Sequence, residues 1–162
     1  ASPARLCSPQ APMICRRAQP GDYEPLVDMA RVFTEESGLP LTFNEEHARE
    51  TLWASLHHPG MDFIVVVDQD LVVAGTIIVY EASYYDEVCA YVDKFFVHRE
   101  FRGRDASDTL LQGVLAHAAE RQAKLIFASA TAGMGASIEK LYVRLFRRHG
   151  FEVLGRIIMK EV

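Results

Sequence analysis

Val97-His-Arg-Glu-Phe-Arg-Gly-Arg-Asp-Ala-Ser-Asp-Thr-Leu-Leu111 decides how this chain is read. Upstream, the β-branched and aromatic run Cys89–Val97 predicts a strand. Downstream, Leu110, Leu111, Val114, Leu115 and Ala118 recur at helical spacing and predict a helix. Between them stand Arg99, Arg102, Gly103 and Arg104. A helix N-terminus exposes unpaired N–H groups and partial positive charge, and the arginines add charge suited to phosphate, so this junction reads as an anion site. Solvated surface arginines, with Asp105 or Ser107 as a simple helix cap, explain the same residues equally well.

Working outward toward the N-terminus, Leu71–Tyr80 and Phe63–Val67 form two apolar runs joined by Asp68-Gln69-Asp70, a hairpin signal. Before them, Asn44 caps a helix carrying Ala48, Leu52 and Leu56. Asp22 is expected to cap another with Leu26, Met29, Ala30 and Phe33 on one face, stopped by Gly38-Leu39-Pro40. Met13–Arg17 is a short strand. In the other direction, Leu125–Ala130 reads as a strand. Ser137 is expected to cap a helix through Ile138, Leu141, Tyr142 and Leu145, closed by Gly150. Phe151–Glu161 is expected as a last strand. The order is β-α-α-β-β-β-α-β-α-β, a mixed α/β domain over residues 13–162 behind a Pro/Ser-containing tail over residues 1–12.

Composition narrows the function classes. The 162 residues suit one domain, and 49% hydrophobic with 24% charged residues is ordinary for a globular fold. The net charge of −5 argues against duplex-DNA wrapping. It is unevenly spread: residues 1–81 hold 5 basic and 12 acidic groups, residues 82–162 hold 12 and 10. Basic and aromatic residues are not interleaved on one strand face, so a nucleic-acid partner is not expected. The longest apolar run, Leu71–Tyr80, is about half of the ~20 residues a spanning helix needs, so no membrane partner is expected. Three cysteines (Cys7, Cys15, Cys89) without metal-ligand spacing predict no metal site and a reducing, cytoplasmic setting.

Three stretches together resemble the GCN5-related N-acetyltransferase (GNAT) superfamily: VHREFRGRDASDTLL at 97–111, LFRRHGFEVLG at 145–155, and RRAQPGDYEPLVDMARVF at 16–33. The resemblance covers roughly Met13–Val162, and its final third is similar to phage-encoded members. It implies a sheet splayed between the Val97 and Leu125 strands, with acetyl-CoA in the splay. The pyrophosphate would lie on the loop Arg102, Gly103, Arg104, Asp105, Ala106 and Ser107, and the pantetheine along the strand edge at Phe96 and Val97. The implied chemistry is acetyl transfer to an amine. A carboxylate or water relay takes the ammonium proton, strand amides polarise the thioester carbonyl, and a tyrosine of the last helix protonates the thiolate.

The departures from that pattern fall on the site. Asp105 stands where the family has a glycine, and Ser107 where it has Gly or Ala. Phe146 occupies the family's tyrosine position. Tyr142, one turn earlier, is the candidate acid, with an ordinary buried aromatic as the other reading. Asp93 is the candidate base, expected by strand alternation on the face of Tyr91, Phe95 and Val97; pairing with Lys94 explains it as well. Arg144, Arg147 and Arg148 suit a 3′-phosphate, a protein partner or plain solvent. Two functions are therefore expected in competition. One is an acetyltransferase with an altered loop and an amine substrate. The other is a GNAT-fold structural component, such as a virion part, whose tail contacts partner chains.

Overall fold

The computed structural model describes residues 11–103, 105–129, 136–155 and 160. Its elements are β1 (Ile14–Arg17), α1 (Tyr23–Glu36), α2 (Glu45–His57), β2 (Met61–Asp68), β3 (Leu71–Glu81), β4 (Cys89–Val97), α3 (Asp105–Glu120), β5 (Leu125–Ala128) and α4 (Ala136–Arg148). They follow the predicted order through α4. Phe151–Gly155 is not a strand, and most of the remainder of that expected strand, like residues 1–10 of the expected tail over 1–12, lies outside the described residues.

The five strands form one sheet in sequence order, antiparallel from β1 to β4, with β5 parallel to β4. β2 and β3 are buried on both faces, which is why their sequences are continuous Val/Ile runs without polar alternation. One face packs Ile64, Val66, Ile78 and Val97 against Leu110, Leu111 and Val114 of α3 and Leu145 and Phe146 of α4. The other packs Phe63, Val65, Ile77 and Phe96 against Leu26 and Val27 of α1 and Leu52 of α2. Gly113 lets α3 close on β1, because a Cβ there would stand 2.2 Å from the Cys15 sulfur. Burial pushes the Cys15 thiol up to about 11.

The helix ends follow local chemistry, with two corrections. Asn44 caps α2 as expected, its side chain accepting the His47 N–H at 3.1 Å. Asp22 does not cap α1: its carboxylate accepts the Gln19 N–H at 2.7 Å and pairs with Arg16, which reaches it from β1. Burial opposes ionisation of Asp22, but Arg16 and the Gln19 amide outweigh it and hold the carboxyl below its usual range. Ser137 lies inside the first turn of α4 and not before it. Gly150, at φ +86°, ends α4. Its N–H bonds Arg147 O, the Phe151 N–H bonds Phe146 O, and the Phe151 and Phe146 rings meet at 5.0 Å, a complete Schellman motif.

Candidate active site in the splay between β4 and β5

β4 carries one residue more than β3 between two pairs: Gly75 faces Phe96, while Ile77 faces Asp93. The extra residue is absorbed by Lys94 at φ +55°, and the buried Thr76 hydroxyl donates to the Asp93 carbonyl at 2.9 Å. This bulge reverses the alternation. Ala90 and Val92 pack toward α3 and α4, and so do Phe95 and Val97 beyond it. Asp93 therefore lies on the opposite face from Phe95 and Val97, which corrects the expected shared face. Its carboxylate is half-exposed and pairs with Lys94 at 3.0 Å.

The parallel pairing of β4 with β5 ends at Val92–Ala128. Past that point the described residues of β5 leave the edge of β4 open, as the splay predicts. Two side chains reach that edge. The Tyr142 hydroxyl donates to Phe95 O at 3.5 Å, and Arg102 Nε donates to Val97 O at 2.9 Å. Peptide groups alternate sides along a strand, so the Val97 N–H is aimed into the same gap.

Tyr142 is buried, edge-on to Phe95 at 5.7 Å. Burial pushes its phenol up, Arg102 pulls it down, and Glu36 adds to the rise, so the hydroxyl stays protonated at neutral pH. Phe146 lies 5.5 Å from Phe95, in the apolar floor beneath the open edge.

The loop behaves differently from the expectation of free arginines. Arg102 does not project into solvent: its guanidinium pairs with Glu36 at the end of α1 and lies over the Phe96 ring at 5.6 Å. Its charge is committed within the protein. Gly103 adopts φ +74°, a left-handed turn that glycine enters without strain. Asp105 is exposed and opens α3, so it does not fill the gap; Ala106 is buried in the core and Ser107 is half-buried. Arg104 lies outside the described residues. The Phe96 side chain is buried on the α1 face, leaving only its backbone at the strand.

Asp108, one turn into α3, went unnoticed in the sequence. It binds Arg148 at 3.0 Å and His149 Nε2 at 2.8 Å, tying the end of α4 to the start of α3. Burial raises its pKa, but His149 and Arg148 together bring it below the usual range. Of the arginines considered for a 3′-phosphate, Arg148 is thus already paired. Glu36 was also missed, since it lies 66 residues from Arg102 and no local pattern links them. A groove of about 1190 Å³ runs along β5, lined by Phe127, Val143 and Phe151–Gly155 and, where β4 and β5 part, by Val92, Ala128 and Phe146. No cluster of His, Cys, Asp or Glu among the described residues has a metal-binding arrangement, and no described helix is long and apolar enough to cross a membrane.

The fold has counterparts among solved structures. The fold matches a predicted acetyltransferase from Clostridium acetobutylicum solved with acetyl-CoA, at 15% identity over 92% of this chain and 96% of that one, TM-score 0.72. It matches an aminoglycoside N-acetyltransferase solved with CoA, at 12% identity over 96% and 98%, TM-score 0.75. Glucosamine-6-phosphate N-acetyltransferase from Arabidopsis thaliana matches at 9% identity over 93% and 99%, TM-score 0.70. No curated protein matches by sequence. The sequence profile described as the acetyltransferase (GNAT) family matches residues 26–151, from α1 through the splay to the end of the Schellman motif, and the chain belongs to that family.

Proposed function

We propose that the protein transfers an acetyl group from acetyl-CoA to a primary amine. The observation that carries this reading is the open edge of β4 beyond Val92, where Tyr142 and Arg102 converge on consecutive outward carbonyls. The residues present suit the cofactor: an N–H at Val97 aimed into the gap, an apolar floor at Phe95 and Phe146, and a glycine turn feeding the first turn of α3. Bound acetyl-CoA supplies an activated acyl thioester.

The chain's own residues do the rest. The amides from Gly103 to Ser107 hold the pyrophosphate at the N-terminal end of α3, where the helix dipole favours an anion. The strand edge at Phe96 and Val97 orients the pantetheine, and a β4 amide beside the bulge polarises the acyl carbonyl. Asp93, at the point where β5 departs, takes the proton from the incoming ammonium; its exposure allows a water to relay it. Tyr142 keeps its proton available for the thiolate that leaves. Asp105 is exposed, so its carboxylate can turn to solvent and away from the phosphates.

Two observations favour the second reading, a GNAT fold kept for structure or interaction: Phe146 has no proton to give, and Asp93 is already paired with Lys94. Titration calorimetry with acetyl-CoA, followed by thiol release with a panel of primary amines, separates the two. Saturable binding and amine-dependent thiol release are expected, with Asp93→Asn lowering kcat about 10²-fold. No heat of binding at millimolar acetyl-CoA overturns the enzyme reading and leaves the structural one.

A further inference from the structure

Arg102 is held on three sides. Its Nε donates to the Val97 carbonyl at 2.9 Å, a terminal nitrogen pairs with the Glu36 carboxylate, and the guanidinium lies over the Phe96 ring at 5.6 Å. Both side chains of the ion pair are about three-quarters buried, at 22% and 24% exposure. A guanidinium presents donors on adjacent edges in a fixed plane, so one arginine can fasten a strand carbonyl and a carboxylate at once. A lysine has no such second edge.

Glu36 is itself firmly placed. It is the last residue of α1, and the next residue, Ser37, is buried and donates its N–H to Phe33 O and Thr34 O and its hydroxyl to Thr34 O. Phe33, on the same turn, meets Phe96 edge-on at 6.0 Å. The final turn of α1 thus grips both the end of β4 and the loop that opens α3. α1 packs on one face of the sheet and α3 on the other, so the ion pair joins elements that the sheet separates.

We infer that Glu36 is a positioning residue for the cofactor loop: through Arg102 it fixes the turn at Gly103 and hence the N–H groups that receive the pyrophosphate. This rests on the acetyltransferase reading given above. An anion site made of backbone amides works by preorganisation, because amides already aimed at the anion need no reordering when it binds. Without Glu36 the largely buried guanidinium loses the carboxylate it pairs with, and the loop loses that ion pair to α1.

The test compares wild type, Glu36→Gln and Arg102→Lys by steady-state kinetics and acetyl-CoA calorimetry. The expected result is KM and Kd for acetyl-CoA raised about tenfold in each variant, with kcat within about twofold. The double variant is expected to be no worse than Arg102→Lys alone, because both changes break one linkage. Unchanged or tighter acetyl-CoA binding in Glu36→Gln overturns the proposal, since it means that Glu36 only masks the Arg102 charge. A fall in kcat with KM unchanged also overturns it. Amide hydrogen exchange over residues 98–107 gives a readout that needs no cofactor: it is expected to speed up in Glu36→Gln while the β2–β3 core is unaffected, and equal exchange refutes the tether. If the wild type itself binds no acetyl-CoA, the acetyltransferase reading fails, and the exchange result still decides whether Glu36 orders the loop.

Discussion

The Tyr142 hydroxyl donates to the Phe95 carbonyl, 3.5 Å away, beyond the point where the pairing of β4 with β5 ends. A buried phenol aimed at an open strand edge is placed to give a proton there and needs little else for its packing. Tyr142→Phe is therefore expected to fold normally and to lose about 10²-fold in kcat, with KM for acetyl-CoA unchanged. Full activity in that variant, in a thiol-release assay, removes Tyr142 from the chemistry and leaves it as core.

Asp62 should contribute to acid stability, beside Asp22 and Asp108. Its side chain is almost fully buried and pairs with Arg17 at 3.2 Å and Arg121 at 2.9 Å. Burial pushes the carboxyl up, yet the hydrogen bonds from Arg121 and the charges of Arg17 and Arg121 bring it below its usual range. A carboxyl whose folded pKa is depressed contributes stability above its unfolded value, near 4, and loses it as pH falls through the folded value. Thermal melts from pH 7 to pH 2 should show wild-type stability dropping below about pH 4. Asp62→Asn should be less stable at pH 7 by about 2 kcal/mol and have a flatter acid limb. An acid limb as steep as in wild type counts against Asp62 as its source.

Gly113 and Cys15 should show strong coupling. A methyl group at position 113 meets the Cys15 sulfur at 2.2 Å, so Gly113→Ala is expected to cost about 2 kcal/mol despite better helix propensity. Cys15→Ala removes the obstructing atom, and the double variant should recover most of the loss in urea unfolding. Additive losses would show that the clash is relieved by movement of α3 instead.

The β2–β3 turn offers a stabilising change. Gln69 and Asp70 both adopt positive φ, +55° and +129°, in a two-residue hairpin where glycine carries no steric cost at the second position. Asp70→Gly should raise unfolding stability by about 1 kcal/mol without touching activity. A loss of stability in the same melt means that the aspartate side chain supports the turn.

How far the site was legible depends on sequence distance. The end of β4, the glycine turn at Gly103 and the helix that follows are written consecutively, so their order and place in the fold follow from local spacing. Asp93 shows the limit: period-two counting assigned it to the face of Phe95, and one inserted residue at Lys94 reversed that. A bulge leaves little mark in a run of β-formers, because its extra residue is chosen by pairing with the neighbouring strand.

By itself the sequence determined the element order through α4, the buried central hairpin, the Asn44 cap and the Gly150 stop, all set by interactions among residues close in the chain. The tertiary structure alone decided which groups meet in the splay. Arg102 finds Glu36, Tyr142 finds Phe95 O, and Asp108 finds Arg148 and His149, each across dozens of intervening residues. Such pairs form because the sheet and its two helical layers bring distant charges and hydroxyls together away from water, where a donor without an acceptor is costly. For the arginines of the opening stretch the sequence offers an anion site or a solvated surface; the fold gives Arg102 a third place, on the protein's own Glu36.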